Sequence, residues 1–162
     1  MTKIEETLFQ QRLHRHLDEL RWLYMELYHN DSMFAELCEM LQYYAEARSA
    51  ALKKRDLARE ADPNWYKSSD LVGMMLYIDN FAGNLQGVRA KLPYLEKAGV
   101  NCLHLMPFLN TVPERSDGGY AVSDFRTVRP DLGTMEDLEQ LTDACHKKGI
   151  NVCMDFVMNH TS

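Results

Sequence analysis

Two short segments of this sequence carry side chains that could do chemistry. In Ser116-Asp117-Gly118-Gly119-Tyr120 a carboxylate and an aromatic ring are separated by two glycines that let the backbone fold back sharply. A carboxylate accepts hydrogen bonds from hydroxyls and a ring covers the apolar C–H face of a pyranose, so the combination suits a sugar site. An Asp-Gly turn beside a packed tyrosine would satisfy the same five residues. In Asp155-Phe156-Val157-Met158-Asn159-His160 three polar side chains follow directly on the apolar run Val152-Cys153-Met154. A carboxylate at the end of a buried strand must be paired or hydrogen bonded, since burying it bare costs several kcal/mol. The competing reading is a network that orders a loop without touching a substrate.

Other chemistry-bearing residues offer less. His14 and His16 stand two apart on a helical pattern, point to different faces and read as solvated. His104 lies inside an apolar run and reads as a satisfied core histidine. Asp79, at the end of another such run, is either a site-facing carboxylate or a cap for the following turn. Cys38, Cys102, Cys145 and Cys153 show no pair at metal-ligand spacing and read as buried thiols. The ten methionines fall mainly on strands and helix faces, where packing accounts for them.

The elements that must position these residues come in two kinds. From residue 3 to about 60 there is neither Gly nor Pro, and Ile4, Leu8, Leu13, Leu17, Leu20, Tyr24 and Leu27 recur at helical spacing. His29-Asn30-Asp31-Ser32 interrupts the pattern, and a second stripe runs through Phe34, Leu37, Leu41, Tyr44, Ala47, Ala51 and Leu52. Two antiparallel helices are expected. Asp62-Pro63-Asn64-Trp65 marks a boundary, because Pro63 cannot continue a helix and disfavours it in the residue before.

Beyond it lie short apolar runs, Met74-Met75-Leu76-Tyr77-Ile78, Cys102-Leu103-His104-Leu105-Met106 and Val152-Cys153-Met154, which read as strands buried on both faces. Between the first two runs Leu85, Val88, Leu92 and Leu95 share a helical face that closes at Gly99, with Pro93 set to break or kink it. Before the third, Thr134 caps a helix carrying Asp137, Leu138, Leu141 and Cys145, which ends at Lys147-Lys148-Gly149. Alternating strands and helices imply right-handed crossovers and a parallel sheet. The connection over residues 107–133 is far longer than the usual ~2 to 6 residues, which favours a functional segment.

Composition narrows the partners. Lys and Arg number 18 against 24 Asp and Glu, a net charge of −6, so no basic field exists to hold nucleic acid or an anionic membrane. No window approaches ~20 uninterrupted apolar residues and the start lacks a basic segment followed by an apolar run, so a cytoplasmic location is expected. Two matches to the glycosylation acceptor pattern, at Asn30 and Asn159, are then chance.

Taken together, Gly99-Val100-Asn101-Cys102-Leu103-His104-Leu105-Met106-Pro107, Gly119-Tyr120-Ala121-Val122-Ser123-Asp124-Phe125-Arg126, Gly133-Thr134-Met135-Glu136-Asp137-Leu138 and Asp155-Phe156-Val157-Met158-Asn159-His160 resemble conserved segments of glycoside hydrolase family 13, the α-amylase family. Asn64-Trp65-Tyr66, Phe81-Ala82-Gly83-Asn84-Leu85, His104-Leu105-Met106-Pro107 and Ser116-Asp117-Gly118-Gly119-Tyr120 bring the resemblance nearest to amylosucrases and related sucrose hydrolases. It spans almost all of residues 64–162; for the helices before Trp65 it rests on position and helicity.

The resemblance implies an α/β fold in which a helical domain over residues 1–63 precedes the first three strands of a truncated (β/α)8 barrel over residues 64–162. It implies retaining glucosyl transfer from sucrose to an α-glucan acceptor, or to water in a hydrolase, with the nucleophile and acid on later strands and no catalytic residue in this chain. Asp117 matches a carboxylate that binds glucosyl hydroxyls and pairs with a late Arg. Tyr120 resembles the stacking platform, and His160 a histidine that bonds a glucosyl hydroxyl. Asp155 and Asn159 match structural positions, and neither a metal nor another cofactor is implied. A short protein whose helices mediate association is the alternative from outside enzymology.

Overall fold

The computed structural model describes residues 2–116 and 118–162, and its contacts divide the chain into two compact units, 1–65 and 66–162. The first unit contains three helices, α1 (Lys3–Tyr28), α2 (Asp31–Ala47) and α3 (Ala50–Ala61). Thr2 and Glu5 form a capping box that opens α1, and His29 closes it in the left-handed region at φ 49°. The Asn30 side chain accepts from the Met33 N–H to start α2. The single second helix expected from the apolar stripe is instead two. Ser49 accepts from the Leu52 N–H and begins α3, and Arg48 bridges the break by pairing with Asp56. Cap hydrogen bonds therefore override a periodicity that continues through the break.

The second unit is built on a parallel sheet of β1 (Gly73–Leu76), β2 (Cys102–Leu105) and, last in the chain, β5 (Asn151–Met154), in the order β1-β2-β5. The expected strands are present, but the first ends at Leu76, and Ile78 begins a short helix, α4 (Ile78–Ala82). The helical face after it is split by its proline into α5 (Leu85–Ala90) and α6 (Leu92–Lys97), with Pro93 in the first turn of α6, where its missing N–H costs nothing. The long connection holds an antiparallel pair that the sequence reading does not contain, β3 (Leu109–Thr111) and β4 (Val122–Val128). Then α7 (Met135–Lys147) opens with a capping box of Thr134 and Asp137.

Burial alternates along β1 and β2, whereas β5 leaves both Cys153 and Met154 exposed. Leu103 and Leu105 are wholly buried with Leu85, Val88, Leu95, Leu141 and Cys145 from the helices, and Met74, Leu76 and Val152 join the same core. Residues of opposite parity, Met75 and Cys153, are exposed. The strands are thus covered on one face, not on both as their apolar runs suggest, because α5, α6 and α7 contribute their apolar stripes to the core on that side. His104 shares the open face with its register partners Met75 and Cys153. Among the described residues no helix is long and apolar enough to cross a membrane.

The cysteines separate by the same logic. Cys145 is buried, Cys38 and Cys102 are half-buried, and Cys153 is exposed, which corrects the expectation of four buried thiols. Burial pushes the Cys145 thiol up to about 11. Near pH 8 a soluble disulfide reagent is expected to modify Cys153 rapidly and Cys145 only upon unfolding, followed by mass spectrometry of peptides. Equal rates at the two positions would contradict this packing.

Candidate glycoside-binding site

The site lies where the parallel strands end. Asp155 follows β5 directly, and its N–H continues the ladder by bonding to the Leu105 carbonyl at 3.2 Å. Register places Asp155 on the open face with His104, and His104 Nε2 stands 3.0 Å from Asp155 Oδ1. A carboxylate oxygen accepts, so Nε2 carries the hydrogen. The second oxygen, Oδ2, accepts from the Tyr120 hydroxyl at 3.1 Å. His104 is therefore a satisfied histidine, as read from sequence, but it is half-exposed on the sheet's open face, outside the apolar core.

Tyr120 reaches this position through a tightly folded loop. Gly118 and Gly119 have φ of 64° and 87°, values that favour glycine. At Gly119 a Cβ would stand 2.9 Å from the Pro107 carbonyl oxygen, so the backbone is pressed against the end of β2. At Gly118 a Cβ would meet the Tyr77 hydroxyl at 3.4 Å and the Tyr120 ring at 3.5 Å. The Ser116 hydroxyl accepts from the Ala121 N–H at 3.0 Å and ties the base of the loop. Tyr120 as a whole residue is 39% exposed. Desolvation, and after it the hydrogen bond to Asp155, raises the phenol above its ordinary value and keeps it a donor.

The segment after β5 is anchored beside the loop. Val157 enters the core, the Phe156 ring lies 5.2 Å from that of Phe125, and the Ser162 N–H bonds to the Val122 carbonyl. Asn159 Nδ2 lies 3.0 Å from His160 Nδ1, and an amide that donates there leaves His160 its proton on Nε2. Asp117 lies outside the described residues.

The structure thus joins Tyr120, Asp155 and His104 directly, and joins Asn159 to His160. The link from His104 to Asp155 escaped the sequence reading, although the alternation that buries Leu103 and Leu105 already sends His104 to the other face. Asp79 accepts from the Asn80 N–H at 2.9 Å and pairs with Arg129 at 3.1 Å; the same guanidinium holds Asp131. It thereby ties the first turn of α4 to the residue that follows β4. Among the described residues no group of three or more His, Cys, Asp or Glu side chains could hold a metal ion.

Because Gly119 combines positive φ with contact to Pro107, Gly119→Ala is expected to cost roughly 1–3 kcal/mol in denaturant unfolding. A stability within error of the parent would show that the loop is not pressed on β2 as described.

Comparison with known proteins agrees with this architecture. The model of the alpha amylase catalytic domain matches residues 29–162. Trehalose synthase/amylase of Mycobacterium tuberculosis is 41% identical over 110 residues, which are 65% of this chain and 18% of that protein. An oligo-1,6-glucosidase of Heyndrickxia coagulans is 39% identical over 80 residues, 49% of this chain and 14% of its own length. Among solved structures, a MutB mutant in complex with the substrate sucrose superposes with a TM-score of 0.53 at 31% identity, covering 62% of this chain and 18% of that one. The chain spans less than a fifth of the length of these relatives. A parallel sheet with its helices on one face, strand order β1-β2-β5 and a match over residues 29–162 make the chain a member of the alpha-amylase catalytic-domain family, with the fold of a partial (β/α) barrel.

Proposed function

We propose that residues 64–162 supply part of the glucosyl-binding wall of an active site that processes α-glucosides, and that residues 1–63, which precede them in sequence, form a separate helical domain. One observation carries this reading: Tyr120, 39% exposed and with its hydroxyl tied to Asp155, stands at the C-terminal ends of parallel strands. In a barrel of this kind that end hosts the chemistry. Tyr120 is the platform beneath the sugar ring, Asp117 and His160 hydrogen-bond its hydroxyls, and Asp155 and Asn159 order the two loops.

The reaction is retaining glucosyl transfer. An aspartate attacks the anomeric carbon, a glutamate protonates the leaving group, and the glucosyl-enzyme passes its sugar to an acceptor or to water. Those two carboxylates are not among residues 1–162. Sucrose as donor and an α-glucan as acceptor rest on the amylosucrase-like motifs around Asn64-Trp65-Tyr66 and Ser116–Tyr120, and a sucrose-bound MutB of related fold supports that donor. Trehalose is the second reading, favoured by the 41% identity to trehalose synthase/amylase, and hydrolysis of an α-glucoside is the third, favoured by the oligo-1,6-glucosidase.

The test uses a full-length enzyme carrying these residues, incubated separately with sucrose, trehalose and isomaltose. Fructose release and glucan growth from sucrose are expected, with Asp117→Ala and His160→Ala lowering kcat on the order of a hundredfold. Turnover of trehalose or isomaltose alone would overturn the sucrose reading, and parental kinetics in both variants would overturn the residue assignment.

A further inference from the structure

We propose that His104 is a positioning residue for the sugar platform, acting on Tyr120 through Asp155; the inference rests on the reading of Tyr120 given above. The Asp155 carboxylate has two oxygens, and two side-chain torsions set where they lie. His104 Nε2 donates to Oδ1 at 3.0 Å, and Oδ2 is then free to accept from the Tyr120 hydroxyl, 3.1 Å away. Rigidity runs in one direction along this chain of bonds. His104 sits in the middle strand, paired on both sides to Met75 and Cys153, whereas Tyr120 sits on a loop that turns through two glycines of positive φ.

A strand locked by two neighbours thereby fixes where the hydroxyl end of the ring lies, which the side-chain torsions of Tyr120 alone leave open. The side chains of His104 and Asp155 are 34% and 25% exposed, so water competes for this bond less than for a surface pair. Neither group needs to touch the sugar. Their effect is on where the ring of Tyr120 lies when a glucosyl unit stacks on it, and misplacing such a group slows chemistry at a distance.

The experiment is a set of single and double variants in the full-length enzyme, read as kcat/KM for the α-glucoside it turns over. H104L removes the donor and Y120F removes the hydroxyl while keeping the ring, and each is expected to lose about tenfold. The double variant is expected to lose no more than either single one, because both cut the same connection. In H104Q the amide nitrogen stands as many bonds from the backbone as Nε2 does, and within threefold of parental kcat/KM is expected.

Losses that multiply in the double variant, or an H104Q as slow as H104L, would overturn the proposal. If H104L does not fold, H104Q against H104N asks the same question, since only the longer amide reaches Asp155; equal rates there would overturn it as well. Y120A separates this inference from the reading beneath it. Parental turnover in Y120A removes Tyr120 from the site altogether, whereas loss in Y120A with multiplying losses in the double variant defeats only the role of His104.

Discussion

The ladder that pairs Cys102–Leu105 with Gly73–Leu76 on one edge and Asn151–Met154 on the other leaves β2 no freedom of register. A slip of one residue would turn Leu103 and Leu105, both wholly buried, out of the core and drive His104 into it. Burial of the leucines therefore fixes where His104 points. The same pairing continues one residue past β5, through the Asp155 N–H to the Leu105 carbonyl, and so sets Asp155 beside His104. Tyr120 in turn is held by that pair through its hydroxyl on Asp155.

Around this frame the loops are held by small, local means. Gly119 lets the backbone approach Pro107, Ser116 closes the base of its turn, and Tyr120 is drawn onto Asp155. The residues after Asp155 are pinned by Val157 in the core, by Phe156 against Phe125 and by Ser162 against β4. Within the long connection β3 pairs with β4 in an antiparallel ladder.

What the sequence discloses follows the range of the interactions involved. The capping box at Thr134 and Asp137, the stop before Pro63 and the proline break at Pro93 are decided within a few residues and can be read directly. The break at Ser49 is equally local, yet an Ala-rich helical periodicity runs across it and hides a cap that only competes once the chain turns. The pair β3 and β4 is short and irregular in register, so Leu109–Thr111 has no alternation long enough to declare a strand. His104 and Asp155 are 51 residues apart, and their contact exists only through the register of the sheet. The chemical character of Tyr120 and its neighbours is visible as a motif; its bond to Asp155, 35 residues away, is not.

The most direct test of this account is the structure of a full-length enzyme carrying these residues with a non-reacting α-glucoside bound. The glucosyl ring is expected to stack within about 4 Å of the Tyr120 ring, with the Tyr120 hydroxyl still on Asp155 and Asp155 still on His104. A glucosyl unit bound away from Tyr120, or a Tyr120 released from Asp155 in the complex, would contradict it.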